Sequence, residues 1–209
     1  MEIIQSVCKD RGRIVIAFES GWKVWLKENQ MPVFPLAPGS EVDRGIFSKH
    51  ILLQQYPSAI EKSVAMLASR PCSRKEIETK LRIYHYDQEV IDLVLLKLDK
   101  EKLIDDSEFA EQWFRSRIRK YGAFRILQEL KHKGIDNETV KCVMENCSEE
   151  EQLEYAVNIA SKKMKTVERK SDRQKAFRQL TGMLLRRGYS WEIAKKACET
   201  VLNQVTPDE

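Results

Sequence analysis

Three sets of residues in this chain have types that can carry chemistry: its histidines and cysteines, a pair of adjacent aspartates, and a run of basic residues interleaved with aromatic rings. His50, His85 and His132 stand apart from any carboxylate or cysteine arrangement that builds a catalytic triad or a metal site. Cys8, Cys72, Cys142, Cys147 and Cys198 contain no Cys-x-x-Cys pair, and a zinc site needs such pairs or a His/Cys cluster. They read as reduced thiols of a cytosolic protein. No glycine-rich phosphate loop occurs. Asp105 and Asp106 could be taken for a metal-binding pair, but they open an apolar-periodic run. Carboxylates at a helix start satisfy orphan backbone N–H groups and oppose the positive end of the dipole. The expectation is therefore a protein that is not an enzyme, with no cofactor and no metal.

The basic run says more. Between Glu111 and Lys133 stand Arg115, Arg117, Arg119, Lys120, Arg125, Lys131 and Lys133, against Glu111 and Glu129. Trp113, Phe114, Tyr121 and Phe124 lie among them, and rings beside cations suit single-stranded nucleic acid, where bases stack and phosphates pair. Helical spacing argues that most of these rings are core. Phe109, Ala110, Trp113, Phe114 and Ile118 form one broad apolar stripe, with Arg117 on its edge where it would pair with Asp106 or another acid. Tyr121 and Phe124 fall at a helix joint.

A second basic stretch, from Ser161 to Lys196, holds twelve basic residues against three acidic ones. Lys162, Lys163, Arg169, Arg173, Arg178, Arg186 and Arg187 join the first stretch as candidate partner- or DNA-binding residues. The net charge of +4 hides this patchiness, because compensating acids gather near residues 99–111 and 136–154.

These residues need elements to position them. The front of the chain alternates as strands do: Ile14, Ile16 and Phe18 share a face, then Trp22, Val24 and Leu26, with Glu19-Ser20-Gly21 as the turn. Pro32, Pro35, Pro38 and Gly39 break the pattern, and residues 36–45 read as loop. From about Ser58 the period is helical. Ser58/Glu61, Ser73/Glu76, Asp105/Glu108 and Ser148/Glu151 each have capping-box spacing at the start of an apolar-periodic run.

The run endings repeat. Leu81 through His85-Tyr86-Asp87 matches Leu130 through Gly134-Ile135-Asp136 and Leu184 through Gly188-Tyr189-Ser190, recurring 49 and then 54 residues apart. Gly134 and Gly188 suit a left-handed helix stop, which His85 holds less comfortably. The reading is a mainly α chain of nine helices in three tandem three-helix units, helix-turn-helix-like in packing, stacked as an extended array. The units cover residues 58–100, 105–147 and 148–203, after a small β-rich, hairpin-containing extension over residues 1–45. The last helix of the second unit carries Glu138 and Glu145 against only Lys141, the wrong sign for reading a major groove. No signal-like N-terminus and no membrane-length apolar stretch is visible, so a cytoplasmic location without membrane contact is expected.

Leu103-Ile-Asp-Asp-Ser-Glu-Phe-Ala110, then Arg117, Gly122, Arg125-Ile126 and Glu129-Leu130-Lys-His-Lys-Gly134-Ile135, resemble the central signature of the RecX family. Ser73-Arg-Lys-Glu76 with Leu81, and Arg186-Arg-Gly-Tyr-Ser190, resemble its first and third repeats, with His85 where a glycine is more usual. The resemblance covers about residues 58–202, and the β-rich front is similar to the extensions of longer members. Asp105, Asp106, Phe109, Arg117, Gly134 and Gly188 are read as structural positions. The resemblance implies a bacterial regulator, expected as a monomer, that binds the RecA–DNA filament. It would mainly inhibit RecA's ATP hydrolysis, strand exchange and co-protease activity, in the setting of DNA repair, homologous recombination and the SOS response. Two other readings stand beside it. One is a non-specific module for single- or double-stranded DNA, acting without RecA; the other is an adaptor whose hairpin presents Trp22 and Trp25.

Overall fold

The computed structural model describes residues 1–10, 12–27, 36–145, 147–165 and 173–205. Two compact units divide the chain, residues 1–105 and residues 106–209. Nine helices and four strands occur among the described residues.

The first unit opens with β1 (Glu2–Asp10), β2 (Arg13–Phe18), β3 (Lys23–Lys27) and β4 (Glu41–Val42), in the sheet order β3-β2-β1-β4. The anticipated hairpin is β2–β3, paired antiparallel with Ile14 opposite Leu26 and Ile16 opposite Val24. The alternation holds in β2, where Ile14, Ile16 and Phe18 are buried, but not in β3, where Trp25 is buried along with Val24 and Leu26 because both faces of that strand are covered. Two strands went unanticipated. β1 has weak alternation and an irregular register between Ile4 and Ser6, yet it supplies a neighbour for β2, pairing Val7 with Ile16. β4 lies inside the stretch read as loop, where two residues suffice to pair Glu2 with Val42 and Ile3 with Glu41.

The helical part starts earlier than residue 58. α1 (Arg44–Ser69) is capped by Asp43, whose carboxylate accepts from the Ile46 amide at 2.9 Å, and it runs straight through Pro57. Proline is tolerated here because the Leu53 carbonyl it leaves unpaired belongs to the exposed side of the helix. Ser58 is accordingly not a cap: it sits inside α1 and shares a 3.0 Å hydrogen bond with the Tyr86 hydroxyl. The inner face of α1 reads Phe47, Ile51, Gln55, Ala59 and Ser63, one buried residue every turn.

α2 (Arg74–Ile83) begins with a complete Ser73/Glu76 capping box, and α3 (Gln88–Lys100) begins at Asp87, which accepts from the Glu89 amide. One apolar cluster runs from the sheet through α1 into α2 and α3. Buried Gln55 is the polar rivet of that core, its amide donating to the Trp25 carbonyl at 2.7 Å and its oxygen accepting from the Asp87 amide at 2.8 Å. Trp25 is fully buried, edge-on to Tyr86, and Trp22 donates its indole N–H to Asp87 at 2.6 Å. Both tryptophans are thereby committed to holding the sheet against the first helical repeat. A hairpin presenting them to another protein does not fit this packing.

The second unit contains α4 (Asp106–Arg117), α5 (Ala123–His132), α6 (Asn137–Glu145), α7 (Glu149–Met164), α8 (Arg173–Arg186) and α9 (Trp191–Val205). Its core has two clusters, one around Phe109, Phe114, Ile126 and Leu130, the other around Leu180, Leu184, Ala194 and Val201. Ser148 caps α7 by accepting from the Glu151 amide at 3.1 Å.

The internal repeat is visible as three copies of one helix stop. Tyr86, Ile135 and Tyr189 donate backbone N–H groups to the carbonyls of Leu81, Leu130 and Leu184 at 3.1–3.2 Å. The residue before each donor is left-handed, with φ of 57° at His85, 83° at Gly134 and 86° at Gly188. This is the Schellman stop, closed by contact between the two apolar ends. No helix among the described residues is long and apolar enough to cross a membrane.

Candidate functional site

The basic residues of the second unit separate into two structural groups. One is a ladder of rings and cations along α4 and α5. Lys133 lies 4.0 Å from the Trp113 ring centre, Arg117 lies 4.2 Å from the same ring, and Arg125 lies 4.0 Å from Tyr121. Such contacts stabilise by about 0.5–1 kcal/mol each at partly exposed positions. Glu129 ties the ladder together. Its carboxylate accepts from the Trp113 indole at 3.1 Å and from Arg125 Nε at 3.1 Å, and it pairs with Arg117 at 3.4 Å. The acid that meets Arg117 is thus Glu129, one turn beyond Arg125, a spacing that alone would have revealed the Arg125 pair.

The second group gathers at a joint within the unit. Between α4 and α5 the chain turns at Gly122, whose φ of −73° suits any residue. Space is what demands glycine: an added Cβ would stand 2.3 Å from the Gly188 oxygen and 2.4 Å from the Tyr189 nitrogen. Gly188 is constrained twice, by its positive φ and by a Cβ that would meet the Arg125 Cβ at 2.4 Å. The close approach is stitched by backbone hydrogen bonds from Gly122 N to the Arg187 oxygen at 2.9 Å and from Phe124 N to the Gly188 oxygen at 3.2 Å. Ala123 N donates to Gln152 at 3.2 Å, and Arg187 Nη1 donates to the Lys120 carbonyl at 3.4 Å. Gly122 offers no side-chain cap, so the first orphan donors of α5 are satisfied by α7 and by the turn after α8.

Around this joint stand exposed Arg119, Lys120 and Arg186 with half-buried Arg187. Among the described residues none of the four is in an ion pair. Two rings accompany them at the surface: Phe124 is 65% exposed and Trp191 is 54% exposed.

The other candidates are more scattered. Arg115 pairs with Glu111 at 2.9 Å on exposed surface. Lys131 is exposed at the end of α5, and Lys162 and Lys163 are exposed at the end of α7. Arg173 donates to Asn203 at 2.5 Å and Arg178 to Gln174 at 3.2 Å. Arg169 lies outside the described residues. Of the structural positions, Phe109 is buried, Asp105 precedes α4 and Asp106 is its first residue. Gly134 and Gly188 both take the left-handed stop. Sequence reasoning quoted Gly122 and Glu129 in the central signature without giving either a role, and it passed over Trp191 as a site residue, because a lone acid, a cap glycine and a first-turn aromatic are each unremarkable without their neighbours.

Burial sets the acidities inside the unit. The Tyr189 hydroxyl is enclosed with no hydrogen-bond partner among the described residues, and burial pushes its pKa up to about 12. The Cys147 and Cys198 thiols are pushed upward by the same cause, which disfavours reactive thiolates.

Comparison with known proteins follows the three repeats. Family models described as the first, second and third three-helix domains of RecX match residues 59–98, 105–144 and 149–198. A relative from Amycolatopsis mediterranei, named Regulatory protein RecX, is 32% identical over 143 residues, covering 68% of this chain and 81% of its own length. A relative of the same name from Clostridium acetobutylicum is 27% identical over 191 residues, covering 90% and 89%. In solved structures the fold recurs in a crystal structure of regulatory protein RecX, at a TM-score of 0.63 and 22% identity over 97% of this chain and all (100%) of that one. It recurs also in RecX from Lactobacillus salivarius, at 0.62 and 24%, over 70% of this chain and 96% of that one.

Proposed function

Because this chain belongs to the RecX family of regulatory proteins, we propose that it binds the RecA–DNA filament and restrains it, lowering ATP hydrolysis, strand exchange and co-protease activity. The observation that carries this reading is the cluster of unpaired cations at the Gly122–Gly188 joint. Arg119, Lys120, Arg186 and Arg187 flank a tight backbone contact, and none is in an ion pair among the described residues. A filament offers a repeating polyanion and acidic protein surface, and a positive patch on a packed scaffold is attracted to both. The remaining basic residues, Arg115, Arg125, Lys131, Lys133, Lys162, Lys163, Arg173 and Arg178, would extend the field without making every contact. The protein acts in this reading as a regulator in the cytoplasm, without chemistry of its own.

The exposed Phe124 and Trp191 favour a second reading, a DNA-binding module that needs no recombinase. RecA's DNA-dependent ATP hydrolysis on single-stranded DNA, titrated with this protein, separates the two. Inhibition well below one regulator per RecA supports filament control. No effect until the DNA itself is saturated supports competition for strands.

A further inference from the structure

We propose that the Gly122–Gly188 joint is a stacking surface for a single DNA strand, with Phe124 and Trp191 taking bases and Arg119, Lys120, Arg186 and Arg187 taking the flanking phosphates. The inference rests on the filament reading only in assuming that DNA is the polyanion at hand.

Three observations carry it. Phe124 and Trp191 are large apolar rings left at the surface of a unit that buries its other phenylalanines wholly or in part. Backbone bonds bring the chain segments that carry them to one joint: the Phe124 amide donates to the Gly188 oxygen at 3.2 Å, and Trp191 begins α9 three residues after Gly188. Among the described residues the cations beside them are in no ion pair, Arg187 donating only to the Lys120 carbonyl, whereas those of the neighbouring ladder are engaged by Glu129 and by rings. Ring faces beside unpaired guanidinium groups suit an unstacked base with its phosphates, and every base has a π-face, so recognition tolerates any sequence. A duplex hides those faces, and α9 balances exposed Lys195 and Lys196 with exposed Glu192 and Glu199, leaving no net positive charge for a groove. An acidic protein surface would use the same cations but gains less from two separate exposed rings.

The test uses the full chain without RecA and a labelled deoxythymidine oligonucleotide, with affinity read by fluorescence anisotropy at several salt concentrations. Phe124→Ala and Trp191→Ala should each weaken binding about 5- to 100-fold while leaving the salt slope unchanged. Trp191→Phe should keep most of the affinity. Arg186→Gln should flatten the salt slope by about one unit. Both rings are exposed, so matching thermal unfolding of the alanine variants shows that the fold is intact. Unchanged oligonucleotide affinity in both alanine variants overturns the proposal. Unchanged DNA affinity with lost RecA inhibition overturns it too, and assigns the rings to a protein partner. If the wild-type chain does not inhibit RecA but the alanine variants still lose DNA binding, the filament reading fails and the stacking surface stands.

Discussion

The two compact units handle their arginines differently. In the first, Arg44, Arg70, Arg74 and Arg82 each meet a carboxylate, from Glu2, Glu76, Asp99 and Glu78 respectively, and Arg13 lies over the Trp25 ring. In the second, Arg115, Arg117 and Arg125 are paired, but Arg119, Arg186 and Arg187 are in no ion pair among the described residues. Exposed pairs contribute only about 0–1 kcal/mol, so stability is not what separates the two patterns. The difference lies in what remains for a partner. The first unit has tied its guanidinium groups to itself, and the second has collected unpaired ones around a tight backbone contact.

The same helix stop makes the contrast sharper. At His85 the left-handed residue is exposed, and a side chain fits there at some conformational cost. At Gly188 the identical turn is pressed against Arg125, and Gly122 is pressed against it in return. One copy of the repeat is a simple stop; another has become a joint.

The largest effect should come from that joint. Gly122→Ala places a carbon 2.3–2.4 Å from backbone atoms that have no room to yield. It should destabilise the chain by about 3 kcal/mol in urea unfolding followed by circular dichroism. A loss under about 1 kcal/mol would mean that the approach relaxes freely.

Next in size is Glu129→Gln, which keeps the shape but removes the charge that holds Arg117 and Arg125. A cost of about 1–2 kcal/mol is expected, discounted for partial exposure of the pairs. The two freed guanidinium groups should also strengthen oligonucleotide binding, in the direction opposite to the loss of stability.

Tyr189 gives a pH signature. Its folded pKa of about 12 lies above the ordinary value of 10, so between these limits the unfolded state releases a proton that the folded state retains. Stability should therefore be intact below pH 10 and fall as pH rises toward 12. Tyr189→Phe should flatten that fall, and by removing an unpartnered buried hydroxyl it should not destabilise at neutral pH. An unaltered alkaline limb would show that another group controls it.

The smallest effect is His85→Gly. Relief of the left-handed backbone, worth about 1 kcal/mol, is largely offset by glycine's greater freedom when unfolded. The change should shift stability by no more than about 0.5 kcal/mol, against the collapse expected at the joint.

Much of this architecture was legible because its signals are local. The hairpin follows from period-two alternation, and the three helix stops follow from a leucine, a left-handed residue and a following apolar residue in fixed order. The capping signals of α2 and α7 were readable for the same reason. Ser58 misled because the Ser58/Glu61 spacing imitates a capping box, and nothing local says that the helix is already running there. β4 stayed hidden because its pairing is non-local, Glu2 meeting Val42 across forty residues of sequence, and β1 because its alternation is weak and its register shifts between Ile4 and Ser6. The basic stretches were visible as charge, but which cations are spent was not. That depends on Glu129 and on the meeting of Gly122 with Gly188, 66 positions apart.

The central claim is that the unpaired cations of the joint carry the regulatory function, whereas similar charge elsewhere does not. It is tested most directly by comparing RecA ATPase inhibition in two charge-matched variants of the full chain. One carries Arg119→Glu, Lys120→Glu and Arg186→Glu at the joint; the other carries Lys49→Glu, Lys75→Glu and Lys100→Glu on exposed surface of the first unit. Both change net charge equally. The account predicts that inhibition is lost in the joint variant and kept in the other. Equal loss in both, or retention in the joint variant, would contradict it.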